Sequence, residues 1–251
     1  MKILISGALG HMGRAVAAQA SAQGVDIVAG VDAATGTCEF PCYASFDALP
    51  HCSGAVLIDF SRPEALTPLL DYAVGHRVPV VLATTGYSPA QEQEVDRVAR
   101  QIPVFRSANM SVGVALLKHL CREAAKVLGE SFDVEIMEAH HNRKVDAPSG
   151  TALLLYDAIK DAYAEPRQAQ LGRGGRDCKR RHNEIGIHAL RGGTVTGEHE
   201  VCFFGPAERI RLCHSAEDRS VFASGALKAA AFLADKAPGR YAMEDLIASA
   251  Q

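Results

Sequence analysis

The chain has 251 residues, 48% hydrophobic and 22% charged, with a formal net charge of −3. Such a chain buries a sizeable core in one large domain or two modest ones, and its negative balance argues against nucleic acid or an anionic membrane as the main partner. With no Trp and 6% aromatics it also lacks the residues of a single-strand stacking platform.

Seven cysteines form no CxxC pair and no zinc spacing, so reduced thiols are expected. No apolar run approaches the roughly 18 residues of a membrane span. MKILISGALGHMG turns glycine-rich too early for a signal-peptide core, and the expected location is the cytoplasm.

In chain order, KILISG (2–7) reads as a short buried strand, and Gly10 to Gln23 as a helix. VDIVAGVD (25–32) and GAVLIDFS (54–61) are further strands, the latter leading into the helical RPEALTPLLDYAVGH with Pro63 in its first turn. RVPVVLATTG (77–86) is a strand, SPAQEQEVDRVARQ (88–101) a polar-faced helix and IPVFRSAN (102–109) a fifth strand. Continuously apolar strands alternating with such helices imply a parallel sheet covered on both faces, the doubly wound α/β class.

The pattern changes near Ser111. Val112 to Leu128 reads as an amphipathic helix, FDVEIMEAHH as a strand and Thr151 to Ala164 as a helix. Residues 166–183 read as loop. EIGIHALRGG, TVTGEHEVCFFG and ERIRLCHSA then read as antiparallel strands, and VFASGALKAAAFLAD as a buried helix. These readings give a Rossmann-type domain of 1–111 and 221–251, interrupted by an α+β domain of 112–220 with a mixed or antiparallel sheet.

The first strand runs into glycines 7, 10 and 13 at the opening of a helix. Such a turn lets backbone amides and the positive helix end approach a pyrophosphate. GxxGxxG alone is also what a tight structural turn looks like. Asp32 follows at the end of the second strand, where a carboxylate accepts from the adenosine ribose hydroxyls and repels a 2′-phosphate. Ala33, Ala34 and Thr35 bring no cation, so NADH is expected to be preferred over NADPH. Two later strand ends, Ala83-Thr84-Thr85-Gly86 and Ser107-Ala108-Asn109-Met110, offer hydroxyls and an amide suited to a nicotinamide carboxamide. The same residues suit helix caps, and the two roles are compatible.

EAHHNRKVDAPSGTALLLYDAIK (138–160) gathers titratable and cationic side chains beside a helix start. Ser149 or Thr151 is a good N-cap, and the amides of Gly150 and Thr151 make an anion seat. Lys144 adds a point charge and His141 a donor, an arrangement for a carboxylate; phosphate suits it equally. His140 is the candidate acid–base group, with a structural histidine as the plain alternative. Consecutive histidines on a regular strand point to opposite faces, so both serve one site only if the strand ends there. No nearby Cys or carboxylate completes a set of metal ligands, and no metal is expected.

This stretch resembles the HHxxKxDAPSGTA signature of the dihydrodipicolinate (4-hydroxy-tetrahydrodipicolinate) reductases of lysine and diaminopimelate biosynthesis. GALGHMGR, IDFSRPE, ATTGY, ANMSVGV, IGIHALRGG, GEHEV and FASGALKAA follow in the family's order, so the likeness spans nearly the whole chain. The resemblance implies an NADH- or NADPH-dependent reductase of a cyclic imine dicarboxylate, assembled as a homotetramer through the mixed sheet. It implies His140 as proton donor and acceptor and Lys144 as second donor, with His141, Lys144, Ser149, Gly150 and Thr151 around the substrate. It places Gly7, Ala8, Leu9, Gly10, His11, Met12, Asp32, Phe60, Arg62, Ala83, Thr84, Thr85, Ser107, Ala108, Asn109 and Met110 along the cofactor. The chain departs from the family at Ala83 (usually Gly), His11 (often Arg) and Met110 (usually Phe). Reductant on one domain and acid–base pair on the other imply domain closure during turnover.

Two rival readings are another dehydrogenase on the same plan, such as an amino-acid dehydrogenase, and a sensor that binds NADH without turnover; the signature and intact His140 and Lys144 oppose them. Arg173, Arg176, Lys179, Arg180 and Arg181 read as a mobile solvated loop rather than a nucleic-acid contact.

Overall fold

The computed structural model describes residues 1–250; residue 251, the end of the first expected domain, lies outside them. Two compact units are present, Met1–Val112 with Arg219–Gln251, and Gly113–Asp218.

The first unit holds β1 (Lys2–Ser6), α1 (His11–Ala22), β2 (Asp26–Val31), β3 (Cys42–Tyr43), β4 (Ala55–Asp59), α2 (Leu66–His76), β5 (Val80–Leu82), α3 (Pro89–Ala99) and β6 (Pro103–Arg106). The second unit holds α4 (from Val112 to Leu128), β7 (Asp133–His140), α5 (Gly150–Lys160), β8 (Gln168–Leu171), β9 (Glu184–Arg191), β10 (Gly197–Phe204) and β11 (Arg209–Ala216). The chain then returns with α6 (Ser220–Leu233), β12 (Gly239–Tyr241) and α7 (Met243–Ala248).

Seven strands form one parallel sheet in the order β12-β6-β5-β4-β1-β2-β3. Successive residues of its central strands β4 and β5, and of β1 after Lys2, are all buried, because helices cover both faces. Leu4, Leu57, Val80, Leu82 and Val104 meet Leu69, Leu70, Val95 and Val98 of α2 and α3. α1 packs with α6, whose Gly225 lets the Met110 carbonyl approach; a Cβ there would sit 1.7 Å from that oxygen. α3 begins on a reciprocal cap, in which Gln91 donates to the Ser88 hydroxyl and the Ser88 amide to the Gln91 side chain, with Pro89 at the first position. The strand expected over 77–86 is shorter, because Arg77 takes a left-handed φ of 54° to end α2 and the chain leaves the sheet after Leu82. The short edge strands β3 and β12 carry no apolar run, and periodicity does not reveal them.

The second sheet has the order β11-β10-β7-β9-β8. α4 and α5 cover one face, burying Leu117, Cys121, Leu155 and Ile159 against Val134, Ile136, Ile185, Ile187, Val201 and Phe203. One expectation fails in part. β9, β10 and β11 alternate in direction as expected, but β9 pairs in parallel with β7 and β8 rather than with β10, and β10 alone is antiparallel to its neighbours, β7 and β11. The return from β7 to β9 passes through α5, a crossover that alternation within a strand does not disclose. A strand also emerges inside 166–183, where a loop was expected; QAQL is exposed throughout and lacks an apolar signal.

The arginine-rich segment is a loop, but it is solvated only in part. Arg173 reaches Glu135 at 3.3 Å and Glu184 at 2.5 Å, while Arg180 lies 3.2 Å from Asp133 and donates to the Glu184 and Val134 carbonyls. Gly186 makes room for the Glu135 carboxylate that organises this cluster, since a Cβ there would overlap it at 1.7 Å. Arg176, Lys179 and Arg181 remain exposed.

Candidate active site

In the first unit, β1 ends at Ser6 and Gly7 turns the chain with φ 76°. The Gly7 amide donates to the Val31 carbonyl at 2.9 Å, and Gly10 precedes α1 with no side-chain cap. The first turn of α1 therefore presents amides to an anion rather than to its own chain. Gly13 is required by space: a Cβ would lie 2.1 Å from the Gly7 carbonyl oxygen. Asp32 braces this loop, one carboxylate oxygen accepting from the Leu9 amide at 2.8 Å and the other from Ala34 at 2.9 Å. Arg14 donates to the Leu9 carbonyl from the other side at 3.0 Å.

The later strand ends are organised by a residue that sequence reasoning missed. Asp59, 1% exposed, accepts from the Ser61 hydroxyl (2.5 Å), the Thr84 hydroxyl (2.7 Å) and the Tyr87 hydroxyl (3.3 Å). Thr84 thus points inward and shapes the loop, while Thr85 and Gly86 are exposed beyond it. Ala8, Ala83 and Met110 are buried; Leu9, Met12, Phe60, Ser107 and Asn109 are half-buried; Gly10, His11, Arg62 and Ala108 are exposed. The Ser107 hydroxyl donates to the Asn109 carbonyl, and the Asn109 side chain accepts from the Ser111 amide just before α4. That bond closes an Asx turn ahead of the helix rather than capping its first-turn amides.

In the second unit, β7 ends at His140, so His141 lies beyond the strand, its amide donating to the Val195 carbonyl at 2.7 Å. A tight turn follows, Lys144 N–H donating to the His141 carbonyl, and Lys144 Nζ sits 2.8 Å from Asp146. Ser149 is the N-cap of α5, its hydroxyl accepting from the Ala152 amide at 3.1 Å, and Gly150 and Thr151 form the first turn. The helix's positive end and the Lys144 ammonium thus belong to one short segment.

Glu138 ties these parts together. Its fully buried side chain accepts two hydrogen bonds from Arg191 (2.8 and 2.7 Å) and one from the Ser149 amide (2.9 Å), and approaches His140 Nδ1 at 2.6 Å. Burial pushes its carboxyl up, but Arg191, with His140 and the Ser149 amide, more than offsets this and holds it below the usual range. Two same-face residues of a strand stand two apart, and that spacing in Glu138-Ala139-His140 was the available signal. Arg191 and His199 come from β9 and β10, and nothing local in sequence marks them.

His199, 5% exposed, lies 3.0 Å from the Ser149 hydroxyl and edge-on to His140 at 5.2 Å between ring centroids. Desolvation, helped by His140, His214 and Lys144 and opposed by Glu138, lowers its pKa from 6.5 to about 4. Its unfolded form binds a proton below about pH 6.5 that the folded form refuses until about pH 4, so stability falls with pH across that window. Between about pH 7.5 and about pH 5 this group alone is expected to remove about 2 kcal/mol. Urea unfolding of wild type and His199→Gln at the two pH values measures it. An equal loss in both proteins would mean that His199 is not buried neutral.

Among the described residues, no three His, Cys, Asp or Glu side chains converge to hold a metal, and no helix is long and apolar enough to cross a membrane.

Residues 1–110 match the family model for the dihydrodipicolinate reductase N-terminus, and 113–247 the model for its C-terminus. A 4-hydroxy-tetrahydrodipicolinate reductase of Caldanaerobacter subterraneus subsp. tengcongensis is 48% identical over 248 residues, covering 98% of each chain. One of Clostridium novyi is 47% identical, covering 99% of this chain and 98% of its own. A dipicolinate-bound dihydrodipicolinate reductase from Paenisporosarcina sp. TG-14 shares the fold at a TM-score of 0.79, with 22% identity and 98% coverage of both chains.

Proposed function

This chain belongs to the dihydrodipicolinate reductase family, and from that premise we propose how its residues carry out the reaction. It is an oxidoreductase that reduces hydroxy-tetrahydrodipicolinate to tetrahydrodipicolinate with a nicotinamide nucleotide, a step of lysine and diaminopimelate biosynthesis. Residues 1–111 and 221–251 act as the nucleotide domain and 112–220 as the substrate domain.

The observation that carries the reading is the cluster at the end of β7, where a buried, charge-compensated carboxylate holds His140 beside the first turn of α5. A dianionic ring requires amides and cations in place before it arrives. The Gly150 and Thr151 amides at the α5 start take one carboxylate, and His141 and Lys144 take the other. Ser149, its amide and hydroxyl already engaged by Glu138, Ala152 and His199, orients that turn, and the Asp146 partner of Lys144 is exposed and releases it at little cost. Hydride addition leaves an enamine, and His140 supplies its proton with Lys144 as the second donor. In the first unit, the Gly7–Met12 turn receives the pyrophosphate, Asp32 the adenosine ribose, and the loops at Phe60–Arg62, Ala83–Thr85 and Ser107–Met110 the nicotinamide end. When bound, the nucleotide supplies the hydride.

Asp32 favours NADH, because a carboxylate repels a 2′-phosphate and no cation follows it. Asp32→Ala is expected to weaken NADH about tenfold, the scale of one lost hydrogen bond to a charged group. The loss for NADPH is smaller, since that nucleotide sheds the repulsion even as the Leu9 amide loses its acceptor. Dissociation constants for both nucleotides check this, and a wild-type preference for NADPH would sink the argument.

The second sheet supports a homotetramer. The face turned away from α4 and α5 carries Met137, Leu190, Phe204 and ion pairs such as Glu200–Arg211. Phe204 and Leu190 are 40% and 56% exposed. Apolar residues ringed by charges suit subunit contact, and a biosynthetic role is in keeping with a cytoplasmic assembly.

Turnover tests the whole reading. Reduced nicotinamide should disappear when the protein meets freshly generated hydroxy-tetrahydrodipicolinate, faster with NADH than NADPH. NADH binding without consumption would leave only a nucleotide-binding protein.

A further inference from the structure

His140 has two unlike edges. Its Nδ1 faces Glu138 at 2.6 Å. That carboxylate is locked by both guanidinium nitrogens of Arg191 and by the Ser149 amide. An ionised carboxylate only accepts hydrogen bonds, so the shared hydrogen resides on Nδ1. On the other edge a Cβ built on Gly197 would come 3.1 Å from His140 Nε2 and 3.5 Å from its Cδ2. The Gly197 backbone is not in the left-handed region, so what this position requires is the absent side chain. The charged or titratable groups at the ring are Glu138 on its own strand, with Arg191 of β9 behind it, and His199 on β10, which in turn feels His214 on β11 and Lys144 in the following turn.

We propose that Glu138 is a positioning residue, and Gly197 a clearance, that divide the work of the two His140 nitrogens. This rests on the reading that His140 is the proton donor. Nδ1 keeps its hydrogen against Glu138 throughout. Nε2 carries the exchanging proton. Hydride addition delivers two electrons to the conjugated ring, and the enamine anion takes one proton from Nε2–H of the imidazolium. The neutral Nδ1–H imidazole that remains regains its proton from water, and the oxidised nucleotide leaves. Arg191 balances the Glu138 charge, so Glu138 orients the ring without taking the proton itself.

Two measurements test this separately from the proton-donor reading. The first is 15N NMR of histidine-labelled protein, with the His140 signals identified by their loss in His140→Gln. The expected neutral form is protonated on Nδ1; a neutral form protonated on Nε2 would overturn the proposal whatever the activity. The second is steady-state kinetics across pH. Glu138→Gln is expected to lower kcat about a hundredfold, displace the kcat–pH profile to lower pH, and leave the substrate KM and NADH affinity within about threefold. If that variant fails to fold, Gly197→Ala, which leaves the Glu138 clamp intact, is expected to lower kcat at least about tenfold at unchanged NADH affinity. Wild-type kcat and pH profile in either folded variant would overturn the proposal, even with His140→Gln inactive. Wild-type turnover by His140→Gln would instead refute the proton-donor reading, leaving the nitrogen assignment to the spectrum.

Discussion

Replacing His140 by Gln is expected to lower kcat at least about a hundredfold, the usual contribution of a placed general acid. NADH affinity should not change, because the nucleotide turn, Asp32 and the Asp59-braced loops belong to the other unit. The substrate KM should change little, since the amides at the start of α5 and the Lys144 ammonium do not depend on the imidazole. Gln keeps much of the side-chain volume, so the α5 start is preserved while the titrating group is lost. Steady-state kinetics with a parallel NADH titration checks this. A raised KM at unchanged kcat would make His140 a binding residue instead.

The second large effect is on stability. Arg191→Met should cost about 3–5 kcal/mol, because it leaves the fully buried Glu138 carboxylate without its two guanidinium partners. It also removes the bond from Arg191 to the Asp146 carbonyl, which pins the turn before α5. The pH dependence carries a sign. In wild type the carboxyl is held low, so its stabilisation is present above the ordinary carboxylate range and fades as pH falls. Without Arg191, desolvation dominates and raises the carboxyl, so the variant's deficit should shrink as the solution is acidified. Glu138→Gln combined with Arg191→Met should recover part of the loss, because no buried charge remains. Urea unfolding at fixed protein concentration measures all three proteins. A loss below about 1 kcal/mol for Arg191→Met would mean that water already solvates the pair.

The nucleotide unit was legible in sequence because its signals are local. Apolar runs and glycines each lie within a few residues, and the parallel sheet follows from the alternation of strands and helices. The proposed acid–base cluster was half legible: His140, Lys144 and Ser149–Thr151 share one continuous stretch. Arg191, Gly197 and His199 come from β9 and β10, fifty or so residues on, and meet Glu138 and His140 only through strand pairing. The neighbours of β9 were misread for a related reason, since alternation reports which faces are buried and not which neighbour a strand takes. The arginine-rich segment misled in the opposite way. Its charges look solvated in sequence, yet Arg173 and Arg180 bind carboxylates supplied by β7 and β9. Asp59 was hidden in an apolar strand whose terminal carboxylate turns inward to Thr84.

The central claim is that a planar dicarboxylate sits on the first turn of α5 with its ring against His140. A crystal structure of this protein with dipicolinate and oxidised nucleotide tests it most directly. The expected result places one carboxylate within about 3.2 Å of the Gly150 and Thr151 amides, the other beside Lys144, and the ring next to His140 Nε2. A dicarboxylate bound away from that turn, or an imidazole swung off Glu138 to meet it with Nδ1, would contradict the account.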